Sequence, residues 1–333
     1  MSNTKTSRVG SIIAFVVSGL FVLLAVWVFL NRQFILDQLA VWSYTPSSSV
    51  ASITERVGFT DKGEFIFYAT KPEVAAQDSF NTKCPRQETG SPILGCYTTD
   101  DRIYVYDLTN KQLAGMEEVT AAHEMLHAVW YRTSAEDKEK LTAQLKAAYA
   151  KLDTGELKDR MDYYERTEPG EFVNELHSIL GTEVTKLDPA LEAYYNQFFD
   201  RKTVLELHQQ YSSVYNKLYD RADELYGKMD ALATSIETRS SEYERAVTKL
   251  SADINSFNAR ANSGSFQSQS QFNNERASLI QRTNALDAER NAINKSISTY
   301  NTYYNEYQEI ASQIEVLNDS IDSFKKIEQT PSV

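Results

Sequence analysis

The sequence predicts an α+β domain carried on an N-terminal membrane-spanning helix and followed by a long α-helical antiparallel coiled-coil hairpin. Three observations carry this prediction. Residues 10–30 run without a charge. Short β-branched and aromatic runs between residues 64 and 107 precede a helix-like segment, free of glycine and proline, that holds two of the chain's four histidines. From Tyr211 onward, apolar residues recur at heptad spacing on both sides of a polar glycine-serine-glutamine segment.

With 333 residues and 42% hydrophobic content, the chain can bury a core. Its formal net charge of −12, and the lack of any basic patch interleaved with aromatics, exclude a general nucleic-acid-binding role. Cys84 and Cys96 flank a turn-rich stretch able to bring them together. Export of this segment favours a disulfide over two free buried thiols. The twenty tyrosines read chiefly as packing and interface residues.

Residues 1–9 form a polar tail with Lys5 and Arg8. At 1.5 Å per residue, a helix over residues 10–30 crosses a hydrocarbon core about 30 Å thick. The run is longer than the apolar part of a cleaved signal peptide and no small-x-small site closely follows, so it reads as an uncleaved signal anchor. Lys5, Arg8 and the free amine favour a cytoplasmic N-terminus, against which Arg32 weighs on the far side. The expectation is a single-pass plasma-membrane protein with its bulk outside the cytoplasm. Residues 31–49 read as a juxtamembrane linker, an amphipathic helix at Asn31–Trp42 followed by the small residues Ser43–Ser49.

A folded domain is expected over residues 50–200. Glu64–Thr70, Ile93–Thr98 and Arg102–Asp107 read as strands, the last two joined as a hairpin by Thr99-Asp100-Asp101. Next comes His123-Glu124-Met125-Leu126-His127. On a helix, residues four apart share a face, so both imidazoles can reach one ion, with Glu124 beside them to take a proton from water. Glu117 and Glu118 suit a first turn, and Val119, Ala122, Leu126 and Val129 make an apolar stripe.

Ser134 caps a further helix running toward Leu152, with Gly155 as its expected stop. A charged segment, Glu156–Glu168, holds Met161, Tyr163 and Tyr164. Pro169-Gly170 then opens an apolar helix, Glu171–Gly181. A catalytic zinc takes three protein ligands, so a third is needed. Glu175 is the first choice, since an acid among Phe172, Val173, Leu176, Ile179 and Leu180 needs a partner. Glu171, one turn earlier, competes for the role or orients a ligand histidine. His177, about 200° round the helix from Glu175, points elsewhere. Glu183 and His208 are weaker candidates.

His123-Glu124-Met-Leu-His127 followed by Glu171-Phe-Val-Asn-Glu175 resembles the gluzincin branch of zinc metallopeptidases. The 48 positions from His127 to Glu175 are more similar to the lethal-factor-like arrangement than to the thermolysin-like one. The resemblance covers roughly residues 100–185, about a quarter of the chain. It implies a zincin-like domain, zinc as cofactor, and an edge strand able to pair with an extended substrate. By the same resemblance a tyrosine near the zinc stabilises the oxyanion, with Tyr163 or Tyr164 as the nearest options. Aromatic packing competes for both.

Asp188-Pro189 starts a short helix. Residues 201–330 read as the coiled-coil hairpin, hinged near 262–271. Tyr211, Tyr215, Leu218, Ala222, Leu225, Met229, Leu232 and Ile236 mark the first seam, which resumes from Tyr243 after a stutter. Phe272, Leu279, Leu286, Ile293, Tyr300, Tyr307, Ile314 and Ile321 mark the second. A parallel oligomeric coiled coil is the competing arrangement.

The function these readings favour is a membrane-anchored, zinc-dependent metalloprotease that hydrolyses peptide bonds outside the membrane. His123, His127 and Glu175 hold zinc, with Glu124 as the base acting on a zinc-activated water. The partners expected are a protein or peptide substrate, the bilayer through residues 10–30, and a protein bound by the coiled coil. Two other functions compete: a coiled-coil scaffold or adhesion protein with a non-cleaving zincin-like domain, and a zinc hydrolase acting on cell-wall peptides. The intact Glu124 weighs against the scaffold.

Overall fold

The computed structural model describes residues 4–85, 92–152, 155–167 and 170–324. The start of the polar tail, the turn-rich stretch at 86–91, Glu168, Pro169 and residues 325–330 of the expected second arm lie outside the described residues. The chain divides into two units, Met1–Val214 with Leu317–Val333, and Tyr215–Val316.

The first unit begins with α1 (Thr4–Leu30), within which Ile12–Leu30 is long and apolar enough to cross a membrane, at a mean hydropathy of 2.8. The short helix expected next is present as α2 (Arg32–Ser43). Ser47 caps α3 (Ser48–Val57) by accepting from the Val50 amide, and Thr60 caps α4 (Asp61–Ala69) by accepting from the Gly63 amide.

The helix α4 overturns the strand expected at Glu64–Thr70. Phe65, Phe67 and Tyr68 have strand propensity, but the Thr60 cap and the acids Asp61 and Glu64 in the first turn favour a helix. Its Ile66 and Phe67 are then buried in the core.

The sheet has three described strands, β1 (Glu73–Ala75), β2 (Gly95–Tyr97) and β3 (Ile103–Tyr106), in the order β1-β3-β2. The expected hairpin is there: β2 runs antiparallel to β3 with Tyr97 opposite Ile103. The parallel pairing of β1 with β3 was not expected. Between β1 and β2 lies α5 (Gln77–Lys83), and the Cys84–Cys96 disulfide ties its end to β2 with the Cα atoms 5.8 Å apart.

At the centre stands α6 (Met116–Arg132), opened by Gly115 at φ +98°. The expected stripe of Val119, Ala122, Leu126 and Val129 is buried, as are Ala121, Met125 and Ala128. A second capped helix follows, α7 (Ala135–Tyr149), whose Ser134 accepts from the Asp137 amide. It ends at Tyr149, so Gly155 is not its stop; Gly155 instead opens α8 (Gly155–Thr167).

Against α6 lies α9 (Phe172–Thr182), which buries Leu176, Ile179 and Leu180 in the same core. A Cβ on Gly181 would stand 2.5 Å from Leu126 Cδ1 and 2.7 Å from the Tyr195 ring, so only glycine permits this approach. Asp188 and Pro189 open α10 (Pro189–Tyr195) as expected.

The remaining helices are α11 (Arg201–Asn262) and α12 (Gln269–Ile321). In the second unit they run antiparallel, with Arg221 paired to Glu306, Arg239 to Glu289, Asp253 to Arg282 and Arg260 to Glu275. Partners climb one arm as they descend the other. Leu225, Met229 and Ile293, expected on the two seams, are buried, as are Leu250, Phe257 and Ile310. Back in the first unit, beyond α12, the Ser323 carbonyl accepts from Gln77 Nε2 and Asn81 Nδ2 at 2.7 and 2.6 Å.

Candidate metal centre

The four-residue spacing on α6 puts His123 and His127 on one face, their rings 4.9 Å apart. Glu175, near the start of α9, reaches between them. Its carboxylate oxygens lie 3.6 Å from His123 Nε2 and 3.4 Å from His127 Nε2. These separations are long for hydrogen bonds. They match the roughly 3.3 Å between neighbouring ligands when nitrogen and oxygen sit about 2.0–2.1 Å from a tetrahedral zinc. Among the described residues, His123, His127 and Glu175 form a group able to hold a metal ion.

The donor set is nearly dry. Glu175 and His127 are buried and His123 is half-buried. Burial opposes the charge on Glu175, but His127, His123 and Arg160 outweigh it and hold its carboxyl below the usual range. The expected third ligand is therefore placed as a carboxylate. Glu124 is also buried, with Oε2 4.0 Å from His127 Nε2, beside the donors rather than among them.

Glu171 is not among the donors. It stands at the N-cap of α9, where its Oε2 accepts from Asn174 Nδ2 at 2.9 Å. Asn174 Oδ1 lies 3.0 Å from His127 Nδ1, and Ser178 Oγ lies 3.4 Å from the same nitrogen. A proton on Nδ1, donated to Asn174, leaves Nε2 as the lone-pair nitrogen facing Glu175. The Glu171 carboxylate thus reaches the histidine through Asn174, which is not among the residues expected at the site. The available signal is an amide directly before Glu175, one turn after Glu171 on the same helix face.

Tyr163 and Tyr164 part company. Burial, and then the charge of Glu175, push the Tyr164 phenol well above its ordinary value, with Glu183 and Glu124 adding to the shift. Tyr164 therefore shares the field of the donor group as a neutral phenol. Tyr163 packs edge-on against Tyr164 and lies under the Arg166 guanidinium, 5.6 Å from its ring centroid.

The other histidines and Glu183 have different partners. His177 is fully buried among Trp130, Tyr194 and Tyr195, with Nε2 3.0 Å from the Tyr194 hydroxyl. Burial, with His127 and His123 nearby, lowers its pKa to about 3. Glu183 is chelated by both Arg160 terminal nitrogens, and His208 Nε2 stands 3.8 Å from it.

The sheet edge completes the site. A Cβ on Gly95 of β2 would stand 2.5 Å from Thr120 Cγ2, 2.8 Å from Glu124 Cγ and 2.9 Å from Glu124 Oε1. The backbone of β2 therefore rests directly on the Glu124 side chain. Comparison with protein-family models, curated proteins and solved structures found no match to this chain.

Proposed function

We propose that this chain is a membrane-anchored zinc metallopeptidase whose catalytic domain lies outside the cytoplasm. The observation that carries the proposal is the convergence of His123 Nε2, His127 Nε2 and the Glu175 carboxylate, with the carboxylate of Glu124 beside them. The two nitrogen donors and one oxygen donor suit zinc with a fourth position left open. Bound there, zinc supplies Lewis-acid polarisation of the scissile carbonyl and acidifies water.

The chain's own residues supply the rest. Glu124 accepts the proton of the attacking water and returns it to the leaving amine. Tyr164, held neutral, donates toward the oxygen that gains charge. The free edge of β2 takes an extended peptide. Leu94 O accepts from Tyr106 N and Thr98 N donates to Arg102 O, so the alternating Gly95 and Tyr97 turn their backbone groups away from β3. No described strand pairs with that outer edge.

We read α1 as the retained anchor with its N-terminus in the cytoplasm, on the strength of Lys5 and Arg8. The disulfide is in keeping with an oxidising compartment. The long hairpin is read as an arm for a protein partner or substrate.

The test is hydrolysis of unfolded protein by the purified full chain loaded with zinc. Cleavage that vanishes in Glu124→Gln, with zinc retained, supports the proposal. Equal cleavage by both proteins, or none by the zinc-loaded wild type on any unfolded substrate, overturns it.

A further inference from the structure

The helix α2 presents an apolar face that the described residues leave exposed. Counted at 100° per residue from buried Asp37, the opposite side holds Ile35, Leu39 and Trp42, with Leu36 on its flank and Arg32 as its only charge. Leu36, Leu39 and Trp42 are 59%, 52% and 75% exposed. The inner side is fixed to the folded domain. Arg132, at the end of α6, donates to Asp37 through Nε at 3.0 Å and Nη2 at 2.7 Å, and to Asp101 through Nη1 and Nη2.

We infer that α2 lies in the headgroup layer of the bilayer, with Leu36, Leu39 and Trp42 turned toward lipid. The occupant follows from chain continuity. Only Asn31 separates α2 from the apolar span, and the bonds Asn31 N to Trp27 O and Ile35 N to Asn31 O, 2.9 and 3.0 Å, leave no slack at the junction. Asn31 itself, at φ −106° and ψ 17°, departs from helical geometry, so the two axes need not be collinear. A helix projecting straight out would put Trp42 about 18 Å beyond Leu30, past a headgroup layer of roughly 5–7 Å, with its apolar face in water. Lying along the surface instead satisfies that face, puts Trp42 at the depth tryptophan favours and gives Arg32 lipid phosphate.

The consequence reaches the metal centre. His127 precedes Arg132 by five residues, about 7.5 Å along α6. The pairing of Arg132 with Asp37 thus holds the candidate site at a set height over the membrane. The inference rests on α1 being a retained span, and the test separates the two.

The full chain is reconstituted into vesicles of phosphatidylcholine and phosphatidylglycerol, with a nitroxide on Val22→Cys, Leu39→Cys, Trp42→Cys or Lys140→Cys. The only two native cysteines are bonded to each other, so each label is unique. The expected oxygen-to-nickel-chelate collision ratio is highest at 22, lowest at 140, and intermediate at both 39 and 42. With the label at 22 in lipid, labels at 39 and 42 as open to the nickel chelate as that at 140 overturn the inference. Labels at 39 and 42 shielded from both reagents also overturn it, because protein then covers the face. A label at 22 in water removes the anchor and the inference with it.

Discussion

Replacing Gly95 with alanine adds one methyl group at the contact between the sheet edge and the candidate base. The new Cβ meets Thr120 Cγ2 at 2.5 Å and Glu124 Cγ at 2.8 Å, whereas carbon atoms rest about 3.5–4.0 Å apart. Relief needs a movement of roughly 1 Å, shared between the β2 backbone and the Glu124 side chain. Overpacking of this size costs about 1–3 kcal/mol of stability, and a base displaced by about 1 Å costs up to ~100-fold in turnover. The three atoms nearest the new methyl belong to Thr120 and Glu124, and none to the candidate donors His123, His127 and Glu175. Gly95→Ala should therefore keep its zinc and lose turnover. Steady-state cleavage, metal analysis and thermal unfolding of the same preparation read all three quantities. Wild-type turnover in a folded, zinc-loaded Gly95→Ala protein would refute the placement of Glu124 against β2 as a catalytic constraint.

Other perturbations separate the supporting contacts. Asn174→Ala removes the nearer of two partners of His127 Nδ1 and should weaken zinc binding about 10–100-fold in competition with a chelator, with a smaller effect for Glu171→Gln. Arg132→Met leaves Asp37 buried without its cation and should cost about 3–5 kcal/mol in urea unfolding. His177 stays neutral in the folded metal-free chain down to about pH 3, while the unfolded chain protonates it below about 6.5. Stability should therefore fall as pH drops from about 6.5 toward 3, by at most about 1.4 kcal/mol per unit from this group. The metal-free His177→Phe protein should lack that contribution when the two are compared by urea unfolding across this range.

What the sequence made legible was local. The four-residue spacing of His123 and His127 needs only a helix to become geometry, and α6 has the first-turn acids and apolar stripe to form one. The β2–β3 hairpin carried its own turn, and the heptads of both arms stated their periodicity outright. The segment at Glu64–Thr70 was misread because its aromatics suit a strand, while the Thr60 cap that starts α4 lies four residues upstream. Gly155 suggests a stop, yet the chain leaves the helix already at Tyr149. The contacts that remained hidden join distant stretches: β1 on β3, Arg132 on Asp37 and Asp101, Gly95 on Glu124, and Asn174 on His127. None of these leaves a periodic trace in the sequence, because each depends on how separate elements pack.

In the proposed site Glu175 completes the zinc ligands with His123 and His127 while Glu124 stands outside them. The most direct measurement is the zinc retained by the wild type, Glu124→Gln and Glu175→Ala after loading and exhaustive dialysis. A single equivalent in the first two and little in the third is the predicted result. Full retention by Glu175→Ala, or none by the wild type, would contradict it.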